Sequence, residues 1–194
     1  MRAVAMALLV LLFAGAGAAY ANPIVGEWMY VDFDPPDFVH SVYPDPYSTV
    51  DAYIMLDLTM SGEPGFTAVS FRLSISPDTA IDPSFTSLLT GGPVVGTWDT
   101  GLTLGATECV TTFPAPVGRF TFTYGGIPGD VAIVDHPDFP RWVVDCNVEE
   151  GQVFYYCVYS FGGVGKETDV GPSGDCGGNP VENETWGSIK SMYK

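Results

Sequence analysis

Cations are what this chain lacks most: 7 Lys+Arg stand against 23 Asp+Glu among 194 residues, a formal net charge of -16. Such a polyanion has too few positive side chains to displace the counterions of a phosphate backbone, so nucleic acid is excluded as a general partner. Histidine is scarcer, with His40 and His136 alone, and neither stands in an HExxH motif. There is no GxSxG either, so the helix-borne zinc site and the nucleophile elbow are both missing. No apolar run beyond the N-terminus approaches the ~20 residues of a membrane-spanning helix. No heptad is sustained and glycine has no period of three, which excludes a coiled coil and a collagen helix. What is present is 46% hydrophobic and 13% aromatic residues, punctuated by 23 Gly and 16 Pro. That composition can build a core and turns often.

Residues 1–21 carry an export pattern. Arg2 supplies a positive start, residues 3–13 an apolar run, and Ala19-Tyr20-Ala21 a small-x-small cleavage site ahead of Asn22-Pro23. The run is too short for a hydrocarbon core of ~30 Å. The expectation is a signal peptide cleaved after Ala21 and a secreted, extracellular or periplasmic protein with no integral span. Cys109, Cys146, Cys157 and Cys176 all lie beyond that cut. An even number of cysteines in an oxidising compartment reads as two disulfides. No two have the CxxC spacing of a zinc site.

Alternation of period two dominates the next 140 residues. Val69, Phe71, Leu73 and Ile75 oppose Ser70, Arg72 and Ser74; Ile54, Leu56 and Leu58 form one face; Phe120, Phe122 and Tyr124 oppose Thr121 and Thr123. Only a pleated chain puts residues i, i+2 and i+4 on one side, so these are half-buried strands. Weaker strand signals cover 24–31, 94–98, 102–113, 130–134, 142–148 and 153–161. Between them stand turn clusters such as Asp34-Pro35-Pro36-Asp37, Gly91-Gly92-Pro93 and Gly125-Gly126-Ile127-Pro128-Gly129. About nine strands without intervening helices predict an all-β, antiparallel two-sheet sandwich over residues 22–161. A Gly-rich loop follows over 162–184. Residues 185–194 form a short amphipathic helix, with Trp186, Ile189 and Tyr193 on one docking face.

Residues 142–161 read as a hairpin around Gly151-Gln152. Symmetric folding sets Trp142 against Phe161, Val144 against Tyr159 and Cys146 against Cys157, all on one face. Four cysteines allow three connectivities; this register favours Cys146–Cys157, which leaves Cys109–Cys176 to hold the tail.

Candidate chemistry is sparse. Asp135-His136-Pro137-Asp138 joins an imidazole to two carboxylates, but its proline imposes turn geometry and no nucleophile accompanies it. Asp32, Asp34 and Asp37, with Asp45 and Asp51, concentrate oxygen ligands in Pro-rich loops, a setting calcium accepts, although no DxDxDG loop is present. Trp98 and Tyr53, with Trp28, Tyr30, Tyr43 and Tyr47, offer rings for stacking a sugar.

Residues 50–58, the run Gly65-Phe66-x-x-Val69-Ser70-Phe71-x-Leu73, the loop with Pro77 and Asp78, and Phe120-x-Phe122 resemble cohesin-type and related immunoglobulin-like extracellular sandwiches. That resemblance implies a module that binds a protein partner without catalysis. The ending Pro180-Val181-Glu182-Asn183-Glu184-Thr185-Trp186-Gly187-Ser188-Ile189-Lys190-Ser191-Met192-Tyr193-Lys194 is similar to the PVExxTWGxIKxxY-[KR] tails of uncharacterised secreted bacterial proteins, and implies docking or sorting. The expectation is a non-enzymatic binding module. Carbohydrate binding through Trp98 and Tyr53, and calcium-dependent adhesion through Asp32, Asp34 and Asp37, are the alternatives.

Overall fold

A computed structural model describes residues 28–35, 37–59, 64–138, 142–146, 153–155, 157–160 and 162–168. In chain order its strands are β1 (Trp28–Asp32), β2 (Ser41–Val42), β3 (Thr49–Asp57), β4 (Phe66–Ser74), β5 (Ala80–Ser87), β6 (Gly91–Thr97) and β7 (Gly101–Val110). They continue as β8 (Ala115–Tyr124), β9 (Gly129–Val134), β10 (Trp142–Asp145), β11 (Val153–Tyr155), β12 (Cys157–Ser160) and β13 (Gly162–Val164). Among the described residues there is no helix. The predicted signal peptide, Cys176, and the tail with Trp186, Ile189 and Tyr193 lie outside the described residues.

The alternating segments became the central strands because their apolar faces can only be buried against another sheet. One sheet runs β12-β1-β3-β8-β5. The other runs β11-β10-β4-β9-β13-β2, with β7 on β4 and β6 on β7. Strand β4 is its hub: Val69 registers with both Val143 and Leu104, while Leu73 further along registers with Ile133. Between the sheets Phe66, Phe71, Phe120 and Phe122 are fully buried with Ile54, Leu56 and Leu104. Phe120 and Phe122 stand 5.5 Å apart, and the Phe85 ring meets Phe71 edge-on at 5.9 Å. Each such ring contributes about 1.5–3 kcal/mol by leaving water.

Several expectations change. The sandwich is not purely antiparallel, since β1 pairs β12 and β13 pairs β2 in parallel. The strand β5 arises despite Asp82-Pro83, because it is the edge of its sheet, where a missing N–H costs no ladder bond. Gly91-Gly92-Pro93, read as a turn, opens β6, another edge. The Gly-rich segment begins as a strand rather than a loop: β13 lies between β9 and β2. Glycine is what allows it, since a Cβ on Gly162 would stand 2.5 Å from Val31 Cγ1 and 2.8 Å from the Phe33 ring.

The hairpin expected over 142–161 is only half present. Strand β11 pairs β10 with Trp142 opposite Tyr155 and Val144 opposite Val153. The chain then leaves for the other sheet, where β12 lies beside β1 and Cys157 registers with Trp28. Cys146 is therefore bonded to Cys109, not to Cys157, with Cα atoms 5.5 Å apart. That separation suits a disulfide.

Candidate functional site

The three carboxylates raised for calcium stand at the end of β1 and on the turn that follows it. Asp32 ends β1 and is 1% exposed; its Oδ1 accepts the backbone N–H of Asp34 at 3.0 Å and of Val39 at 2.9 Å. A further bond from Phe33 N to Val39 O at 2.8 Å closes the loop. Asp34 and Asp37 project into solvent. Among the described residues no three His, Cys, Asp or Glu gather where they could hold a metal ion. The loop lays Phe38 flat on the buried Tyr30 ring at 5.4 Å, with His40 edge-on at 6.0 Å and its Nδ1 donating to Val31 O at 3.1 Å. Burial, then the charges of Asp57 and Asp32, raise the Tyr30 hydroxyl well above the ordinary tyrosine range.

The two stacking candidates are not brought together. Trp98 packs inward on Phe120 at 5.1 Å, and its carbonyl accepts Leu73 N–H at 2.7 Å. Tyr53 points to the opposite side of the first sheet, between Asp32 on β1 and Arg119 on β8. His136 helps to close its own turn. It is buried, its Nδ1 accepts Asp138 N–H at 3.1 Å, and a Cβ on Gly101 would run 2.6 Å from Nε2. Burial lowers its pKa; Asp138 opposes that shift and Arg72 adds to it.

Among the described residues, large apolar side chains besides Phe38 remain open in two places. On the flank where both sheets end, Leu88, Val94 and Val95 are exposed beside the edge strands β5 and β6. At one end of the sandwich, three segments meet. Residues 43–48 are pinned to β8 by Tyr47 N–Tyr124 O at 2.7 Å and Tyr124 N–Ser48 O at 2.9 Å. The β8–β9 turn lies against them, a Cβ on Gly126 (φ 87°) falling 3.6 Å from Pro46 Cβ and one on Gly125 3.6 Å from Ile81 Cδ1. The chain after β13 completes the group: Tyr43 Oη donates to Glu167 Oε1 at 2.7 Å, which raises the pKa of that fully exposed hydroxyl. Tyr43, Tyr47, Ile81 and Ile127 are all exposed at this apex. In the sequence Tyr43 and Tyr47 stand among several candidate rings with nothing to distinguish them, and Ile127 sits inside a turn signal. A large aliphatic residue inside a Gly-Gly-x-Pro-Gly turn was the available signal, since such a turn has nowhere to bury it.

This is a cohesin-like β-sandwich. The chain matches CaCohA2 in the CaDoc0917–CaCohA2 complex with a TM-score of 0.50 at 9% identity, covering 71% of this chain and 97% of that one. It also matches the sixth cohesin of scaffoldin B from Acetivibrio cellulolyticus, solved with the Cel5 dockerin, at 17% identity and a TM-score of 0.49, over 73% of this chain and 99% of that one. No protein-family model and no curated protein matches the sequence.

Proposed function

We propose that the chain is a non-catalytic, exported module that binds another protein. The observation that carries this is the open apolar surface, at the apex and along the β5–β6 flank, on a chain whose net charge is -16. Exposed apolar clusters rimmed by polar groups are a feature of interaction sites. Asp32 and His136 are each engaged in holding their own loops, which agrees with this reading. The solved neighbours described above were captured with protein partners, which fits the same reading. Within it, residues 185–194 serve docking or sorting through Trp186, Ile189 and Tyr193.

The test is retention of extracellular and envelope proteins on the immobilised mature chain, followed by an isotherm with the purified ligand. A saturable one-to-one isotherm is expected. Binding confined to a glycan array, or turnover of a panel of hydrolase substrates, overturns the proposal. Deleting residues 180–194 addresses the tail: unchanged localisation together with an unchanged melting temperature removes its role.

A further inference from the structure

Among the described residues, three non-glycine side chains sit on backbone in the left-handed region: Phe38 (φ 56°), Tyr47 (φ 64°) and Asp82 (φ 49°). That conformation crowds Cβ against the backbone, so bulky residues adopt it only where something else holds them there. Phe38 is held by its stack on Tyr30, and Asp82 sits at the irregularity of β5 between Ile81 and Ser84. Tyr47 is 76% exposed, against 51% for Phe38. The backbone around it is fixed on both sides by the bonds to Tyr124, by Ser48 N–Asp45 O at 3.0 Å and by Ser48 Oγ–Asp45 O at 2.6 Å. A rigid loop thus presents a tyrosine ring to solvent at a position where glycine would sit without crowding.

We infer that the apex formed by residues 43–48, 125–128 and 165–167 is a docking surface for a basic polypeptide segment, with Tyr47 as its central anchor and Tyr43 and Ile127 beside it. This rests on the protein-binding reading above and locates it. Charge complementarity selects the occupant. Asp45 and Glu167 border the rings, and Asp78 lies beside Gly125. The one cation in these three segments, Lys166, is held by Asp130 at 2.7 Å. An acidic rim around exposed tyrosines repels acidic partners and anionic membranes, and steers in a chain carrying Lys or Arg. A pre-fixed aromatic anchor also loses little freedom when it is covered, which is why tyrosine is frequent among residues that dominate binding.

The experiment uses the mature chain and an array of 15-residue peptides graded from acidic to basic, with a glycan array alongside. Basic peptides are expected to bind and acidic ones not, with affinity falling as salt rises. Tyr47→Gly is expected to weaken binding by about tenfold or more while leaving the melting temperature unchanged or higher. Thr112→Ser, at an exposed position between β7 and β8 and outside both apolar surfaces, leaves binding intact. Peptide binding that ignores Tyr47→Gly overturns the apex assignment while the protein-binding reading stands. Glycan binding without peptide binding overturns both. Equal binding of acidic and basic peptides, or no binding at all, overturns the proposal, as does a Tyr47→Gly variant that melts well below the parent.

Discussion

Cys109 and Cys146 are joined across the end of β4. Phe66, the first residue of that strand, registers with Val110 on one side and Asp145 on the other, so the bond clamps β7 and β10 around the hub of their sheet. It closes a sequence separation of 37 residues. The chain-entropy model gives such a loop about 3–4 kcal/mol of stabilisation. Replacing Cys109 and Cys146 together with serine should lower the melting temperature by roughly 8–15 °C. Peptide mapping without reductant should recover a fragment linking Cys109 to Cys146. A fragment linking Cys146 to Cys157 refutes the arrangement.

Acid should loosen the 135–138 turn. The His136 pKa is lowered from the ordinary histidine value of 6.5, chiefly by burial, so the unfolded chain binds the proton more tightly than the folded one. Stability is then full above that value and falls as pH drops through it towards the lower folded pKa. Protonation also removes Nδ1 as the acceptor for Asp138 N–H. Denaturant melts between neutral pH and pH 5 should show this decline, and His136→Gln should flatten it.

Asp32 offers a test of the calcium alternative. Its Oδ1 serves two backbone amides, so Asp32→Ala leaves two part-buried donors unmet and should cost about 2–3 kcal/mol by chemical denaturation. Asp32→Asn, which keeps an oxygen, should cost less. Melts in EDTA and in added calcium should coincide. A calcium-dependent rise that Asp32→Asn abolishes would instead place the ion among Asp32, Asp34 and Asp37.

Gly162→Val should destabilise by roughly 1–3 kcal/mol, the usual effect of forcing volume into a packed site. The added side chain meets Val31 and Phe33, and β13 cannot shift without releasing β2 and β9. Equilibrium denaturation measures it, and an unchanged midpoint contradicts the placement of β13.

The central strands were legible because their apolar residues alternate: β3, β4 and β8 each carry a two-residue period over a face that must be buried. The two edges were less so. In β6 nearly every residue is exposed and in β5 the inward face is only partly buried, so a buried face leaves little pattern, and Pro83 and Pro93 resemble loop punctuation. The β13 strand was hidden for a different reason, since Gly162 and Gly163 have no side chains with which to show a period. The cysteine partner was misread because Cys109 lies in β7, distant in sequence from the local hairpin, and meets Cys146 only because β7 and β10 flank β4. For the site, residue types were visible but their direction was not. Trp98 turns inward onto Phe120, whereas Tyr47 is held outward by backbone bonds that no side-chain pattern encodes.

The parallel pairing of β1 with β12 ties Trp28 to Cys157. A polypeptide emerging N-terminus first must therefore keep its opening strand waiting, one hydrogen-bonding rim uncovered, until almost everything else has arrived. Such distant partnering slows assembly and leaves a sticky border in the meantime. Prematurely terminated products ending before residue 157 should accordingly clump, even though they contain nearly all of the oily interior.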